Sequence, residues 1–299
     1  MKTIRNIALI LVGLLLAVVA YGFFEPYLLD VTEEQAVVPN LPQEWEGSEI
    51  AVLGDFQIGL WGDNADTIEE AVEEIVERDP VAVLMLGDFI YHPQNETQEK
   101  VSENIEVLKP LKDANIPMYT VMGNHDFGLK EKNSKPLNEA AERMRQALKE
   151  LGVKVLHNES IMLTTDDSAD DTSGLYLAGV GSNWMDEDDA AKALEGIPAE
   201  AARVVMMHNP NSFKKFPADS APFAVAGHTH GGQIRLPGMP DWSWMDLTAE
   251  EEKHTDGWIE DYGAAGNQLY VNRGIGMSTV PIRIHAKPEL TMFTLASKK

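Results

Sequence analysis

The chain has 299 residues, 44% of them apolar, which suits one substantial core better than two. With 48 acidic against 24 basic residues and a formal charge of −24, it has no means of assembling a basic face for nucleic acid backbones, and a phosphorylated ligand would need cations to draw it in. The lack of cysteine removes disulfides, thiolate catalysis and cysteine-type zinc sites, leaving any metal to oxygen and imidazole ligands.

From Ile7 to Phe24 there is no charge. As a helix this run reaches about 27 Å, close to the hydrocarbon thickness of a bilayer. It predicts one membrane span, with residues 1–24 forming a cytoplasmic tip and anchor. Lys2 and Arg5 precede the run and Glu25 follows it, so the positive-inside rule puts the N-terminus in the cytoplasm and the rest on the periplasmic or extracellular side. A cleaved signal peptide is the competing reading, because Val18-Val19-Ala20 offers small residues for processing. A buried core helix fits less well, since the run has no polar face.

Residues 25–46 carry three prolines, several acids and no sustained period, and predict a tether; the catalytic domain is expected over 47–299. Short apolar runs then alternate with polar helical segments: Glu49 to Leu53, a helix from about Asp66, Val81 to Leu86, another helix, and Pro117 to Met122. That alternation is a βαβ signature. Asp66 is the expected N-cap of the first helix, with Glu69 three residues on and Ile68, Val72, Ile75 and Val76 along one face. Further strands are expected at Leu175 to Val180, Arg203 to Met207, Phe223 to Ala226, Gln268 to Asn272 and Glu289 to Leu295. Asp166 to Asp171 is an acidic run without the spacing of a calcium loop, and predicts a solvated turn.

Five predicted strands run straight into polar turns: Gly54-Asp55-Phe56-Gln57, Gly87-Asp88-Phe89, Gly123-Asn124-His125-Asp126, Met207-His208-Asn209 and Gly227-His228-Thr229-His230. Sites form at the carboxyl ends of strands in α/β folds, so these turns can meet in one cleft. Each alone is weak, because a Gly-Asp pair is usually a turn and a lone histidine is usually structural. Together they offer an inventory suited to two divalent ions. His92, His157, His254 and His285 fit no such position, although His92 lies only four residues beyond Asp88. Trp242, Trp244 and Trp258 flank an acidic insertion and are expected to pack, with a membrane-facing or substrate-covering loop as the alternative.

The order of these turns, with GHTHGGQIRLP and LYVNRGIGMSTVPIRIHAKPEL, resembles the calcineurin-like metallophosphoesterases, and within them the bacterial membrane-associated or exported phosphodiesterase branch. The likeness covers roughly residues 41 to 295. It implies a four-layer α/β/β/α sandwich, preceded here by the transmembrane helix, and a dinuclear centre at the strand ends. Carried over, Asp55, Gln57 and His230 hold one ion, Asn124, His208 and His228 hold the other, and Asp88 bridges both. The resemblance further implies a shared water that attacks phosphorus as hydroxide. His125 then stabilises or protonates the leaving oxygen, with Asp126 orienting its imidazole. Manganese is the metal expected first, with iron and zinc as alternatives.

The chain departs from the family at Gln57, where histidine is usual, and at Asn211, where the family often has aspartate. The resemblance therefore implies metal-dependent hydrolysis of a phosphodiester or phosphomonoester, the partner being a phosphorylated small molecule, lipid or cell-envelope phosphate. The alternative is a membrane-tethered domain that keeps the fold but is weakened at the Gln57 site.

Overall fold

The computed structural model describes residues 2–60, 64–91, 97–164, 174–236, 238–247 and 254–298. Helix α1 (Lys2–Gly22) stands away from the rest, its apolar side chains exposed along its length. Among the described residues it is the one helix long and apolar enough to cross a bilayer.

Two six-stranded sheets face one another. The first runs β1 (Asp30–Val38), β14 (Glu289–Ser297), β2 (Glu49–Leu53), β3 (Ala82–Met85), β4 (Met118–Thr120) and β5 (Lys154–Val155). The second runs β12 (Gly257–Ile259), β13 (Leu269–Val271), β9 (Ala224–Ala226), β8 (Arg203–Met206), β7 (Leu175–Gly179) and β6 (Glu159–Leu163). Ile50, Val52, Leu84, Leu177, Val204, Phe223 and Phe293 fill the space between them. Helices α2 (Ala65–Arg78), α3 (Thr97–Asp113) and α4 (Asn138–Leu151) cover the outer face of the first sheet. The short α5 (Ala190–Ala193) and the 3-10 turn Pro210–Lys215 cover the second. The layers are α/β/β/α, the expected sandwich.

β2, β3 and β4 are parallel, as are β7, β8 and β9, and their burial, broken only at Glu49, Tyr119 and Tyr176, is what strands covered on both faces require. α2 buries Ile68, Ala71, Val72 and Ile75, a helical stripe, against the first sheet. It starts one residue before the predicted cap: Asn64 precedes it and Asp66 lies in its first turn, where a negative charge suits the helix N-terminus. Asn64 instead donates from Nδ2 to the Phe56 carbonyl at 2.7 Å and ties down the loop after β2.

The stretch expected as a bare tether is part of the sheet. β1 pairs in parallel with β14 over nine residues, from Asp30 beside Glu289 to Val38 beside Ser297. Only Ala36 and Val38 of β1 are buried, and Glu33 and Glu34 keep its outer half wet, which hides the strand from a hydropathy pattern and guards the edge against pairing. Upstream, Glu25 is 1% exposed and accepts from the Ala286 backbone N–H at 2.6 Å, while the Gly22 carbonyl accepts from Arg283 N at 2.9 Å. The helix end is thus fastened to the globular part. The acidic run 166–171 and His92 lie outside the described residues.

A fragment starting at Glu25 keeps the Glu25–Ala286 bond and the β1–β14 pairing and is expected to be soluble and cooperatively folded, whereas one starting at Val37 strips the β14 edge. Parallel thermal melts and gel filtration check this; equal behaviour of the two fragments would show that β1 is dispensable.

Candidate metal centre

The carboxyl ends of β2, β3, β4, β8 and β9 meet at one rim, and each delivers the residues predicted from its turn. Asp55, Gln57, Asp88, Asn124 and His208 are at most 1% exposed and His230 4%, while His228 is half-buried. Asp55, Gln57, Asp88, His228 and His230 all have positive φ, between 44° and 74°. Such backbone is costly for residues other than glycine, on the order of 1–3 kcal/mol each, and persists where the surroundings force it, often at functional sites. Gly123 is needed here for space: a Cβ on it would collide with the Asp88 carboxylate.

Two groups of donor atoms form around Asp88. In one, His208 Nε2 lies 3.0 Å from Asn124 Oδ1, 3.2 Å from His228 Nδ1 and 3.2 Å from Asp88 Oδ2. His208 Nδ1 is 2.7 Å from the Leu86 carbonyl, so it carries the proton and Nε2 turns its lone pair inward. Asn124 donates from Nδ2 to the Leu129 carbonyl at 3.2 Å, which points its Oδ1 inward too. Lone pairs facing one another in this way need a proton or a metal cation between them. In the other group, Gln57 Nε2 lies 3.1 Å from His230 Nε2 and 3.4 Å from Asp88 Oδ2, and His230 Nε2 is 4.0 Å from Asp55 Oδ1. Gln57 Oε1 and His230 Nδ1 are buried without hydrogen-bond partners. The O and N of an amide are assigned from its contacts, and turning the Gln57 amide over would aim Oε1 at Asp88 and His230, as a metal ligand requires.

Asp55 accepts the His228 backbone N–H at 2.8 Å, joining the two sheets. Burial pushes Asp55 up to about 7. Burial also opposes ionisation of Asp88, but His208 and His125 hold its carboxyl below the usual carboxylate range. Burial works against charge on His208 as well, yet the Asp88 carboxylate outweighs it and its imidazole is pushed up to about 9. Burial drives His228 and His230 down, the latter to about 3. Divalent ions in this cluster would keep both carboxylates ionised and the imidazoles neutral. The donor set, two carboxylates, two amides and three imidazoles, fits two such ions with Asp88 between them.

The two residues predicted to act on the leaving group part company. His125 lines a cleft of about 320 Å³ above the cluster, with its Nδ1 3.1 Å from the Tyr91 carbonyl and its ring stacked on Tyr91 at 4.5 Å. Asp126 does not orient it. Its carboxylate accepts the backbone N–H groups of Asp88, Phe89 and Gly123 at 3.0, 2.8 and 2.8 Å, locking two metal-bearing turns together. Tyr91 takes the orienting place expected of Asp126. Trp184, edge-on to His228 at 5.2 Å, and Trp244 and Met245 complete apolar walls, while Trp258 packs on Phe223 and Phe293 as expected.

Other parts of the site escaped the sequence. Arg283, fully buried, donates to the carbonyls of Arg273, Gly274, Gly276 and Ala286 and clamps the loop behind Asp55, whose carbonyl accepts Gly276 N at 2.7 Å. Glu289, also fully buried, holds Tyr270 Oη at 2.7 Å, Thr32 Oγ1 at 2.8 Å and Arg273 N at 2.9 Å. Both residues fall inside the LYVNRGIG…AKPEL stretch, the one signal available.

The sequence model of the calcineurin-like phosphoesterase family matches residues 48–232, and the chain belongs to that family. It is thus a phosphoester hydrolase that works with two divalent metal ions. The chain is 26% identical over 288 residues to the uncharacterized metallophosphoesterase YkuE of Bacillus subtilis, covering 95% of this chain and 93% of the relative. It is 27% identical to phosphodiesterase YaeI of Escherichia coli over 76% and 75% of the two chains. It is 23% identical to the UDP-2,3-diacylglucosamine pyrophosphatase LpxG of Chlamydia trachomatis over 90% and 89%.

An amide oxygen at Gln57 is a weaker and harder donor than imidazole, so the Asp55–His230 position should bind metal less tightly and prefer manganese or magnesium. Manganese titration of the parent, Gln57→His and Gln57→Ala is expected to give tighter binding at one site in the first variant and weaker binding in the second. Three identical curves would remove Gln57 from the ligand set.

Proposed function

We propose that this chain hydrolyses a phosphate ester borne by a lipid or cell-envelope carrier at the outer face of the membrane. The observation that carries this reading is the donor cluster around Asp88 lying beneath a cleft with both a histidine and apolar walls. Asp55, Gln57, His230 and Asp88 would hold one ion and Asp88, Asn124, His208 and His228 the other, manganese being the first candidate. The ions would supply Lewis acidity and a water acidic enough to attack phosphorus at neutral pH.

The chain's own residues do the rest. Asp126 fixes the distance between the Asp88 and Asn124 turns through its three backbone bonds, which keeps the donors preorganised. His125 is held through Nδ1 by the Tyr91 carbonyl, so Nε2 is the nitrogen left to act on the departing oxygen, as its acid once the imidazole has taken up a second proton there, which burial of the ring disfavours in the free protein. Lys130, at the same cleft, offers positive charge to a non-bridging phosphate oxygen. Trp184, Trp244 and Met245 exclude water and accommodate an apolar group next to the phosphate. A tethered domain without turnover would have no use for a histidine in that position. A lipid-linked substrate is supported by these walls, by α1, and by the relative whose name specifies a diacylglucosamine compound. Lys2 and Arg5 before the span support the outward orientation.

Full-length protein in detergent, loaded with manganese, should hydrolyse chromogenic phosphoesters. His125→Ala should keep its metal and lose roughly 10²–10⁴ in turnover, as for loss of a general acid. Asp88→Ala should lose metal at both positions. Metal loss in the His125 variant, or two retained ions in the Asp88 variant, would overturn these roles.

A further inference from the structure

Beyond Leu28, the large apolar side chains left exposed among the described residues are Leu137, Leu236, Met239 and Leu247. Three of the four belong to one segment. It comprises the small hairpin β10 (Arg235–Leu236) and β11 (Met239–Ser243) followed by the 3-10 turn Trp244–Leu247. Leu236 is 46%, Met239 51% and Leu247 75% exposed. On a surface as acidic as this one, apolar side chains gathered in a single segment mark a contact.

The position of the segment says what it contacts. A cavity of about 860 Å³ is lined by Tyr21 of α1 on one side and by Leu236 and Gly238 of the hairpin on another. The hairpin therefore lies beside the end of α1, where the apolar surface of the helix, still exposed at Phe23 and Phe24, leaves the hydrocarbon. Exposed Lys287 lines the same cavity, and lysine is a side chain that meets lipid phosphates where a span leaves the bilayer. The other side of the segment faces the chemistry, since Trp244 and Met245 form a wall of the His125 cleft.

We infer that Leu236, Met239 and Leu247 seat this segment in the bilayer interface next to α1, so that the cleft opens at the membrane surface and receives a lipid-borne phosphoester without its leaving the bilayer. The inference rests on the reading of α1 as an anchor and of the site as a phosphoesterase. α1 is fastened to the globular part but a single helix can tilt and turn in the bilayer; a second contact fixes that tilt and aims the cleft.

The cysteine-free chain permits a direct test. Full-length Met239→Cys, labelled with an environment-sensitive fluorophore in phosphatidylcholine nanodiscs, should be quenched by headgroup-proximal spin-labelled lipid about twofold or more. Glu150→Cys, at the end of α4 near the opposite edge of the sheets, should not be. The triple variant Leu236→Ser, Met239→Ser, Leu247→Ser should hydrolyse a soluble chromogenic ester like the parent and a bilayer-resident phosphodiester about tenfold more slowly. An unquenched Met239 probe overturns the inference, and if the soluble ester is still hydrolysed the phosphoesterase reading survives it. Quenching without hydrolysis of either ester supports the contact and counts against the enzyme. A probe that is shielded but unquenched, with cross-links between copies or to another protein, assigns the face to a protein partner and also overturns the inference.

Discussion

A carboxylate with almost no solvent exposure must find positive charge or give up its own, and Asp88 is where this chain meets that demand. Its Oδ1 accepts the His125 backbone N–H at 2.8 Å and its Oδ2 faces both His208 and Gln57. Three polypeptide turns are thereby bound to one side chain. The strained φ angles at Asp55, Gln57, Asp88, His228 and His230 follow, because the turns bend to bring donors to a common centre rather than to satisfy their own backbones. The sandwich supplies the stiffness: parallel strands buried on both faces end together at the rim and cannot drift singly.

Support for the cluster comes from the far end of the sequence. Gly276 N and Ile275 N bond to the carbonyls of Asp55 and Gly54, and Arg283 holds the same loop from behind. The loop is also tied to the end of α1, since Arg283 N donates to Gly22 O and Ala286 N to Glu25. One short stretch of chain thus couples the end of α1 to the floor of the metal site, and the site stands at a fixed place relative to that helix.

Much of this was legible in the sequence. After the charged residues Glu49 and Arg203 that open two of them, the runs at Glu49–Leu53, Leu175–Gly179 and Arg203–Met206 declare themselves by consecutive apolar residues, because parallel strands have no wet face. Glycine next to aspartate, asparagine or histidine at the ends of four such runs, and Met207-His208 at a fifth, located the rim. β1 stayed hidden, since an edge strand with two buried side chains and acids elsewhere carries no hydropathy signal. β5, two residues long, and β6, with one buried residue, escaped for the same reason. The part played by Asp126 was beyond reach too. Its neighbour in sequence is His125, but its partners are backbone N–H groups 3 to 38 positions away, and only the folded turns reveal them.

The account depends on Asp88 being shared by two ions. Crystals of manganese-loaded protein measured at the manganese absorption edge test that directly. The account predicts two anomalous peaks about 3.5–4 Å apart, one toward His230 and Gln57, the other toward His208 and Asn124, with Asp88 reaching both. A single peak, or a pair of which Asp88 touches only one, would contradict it.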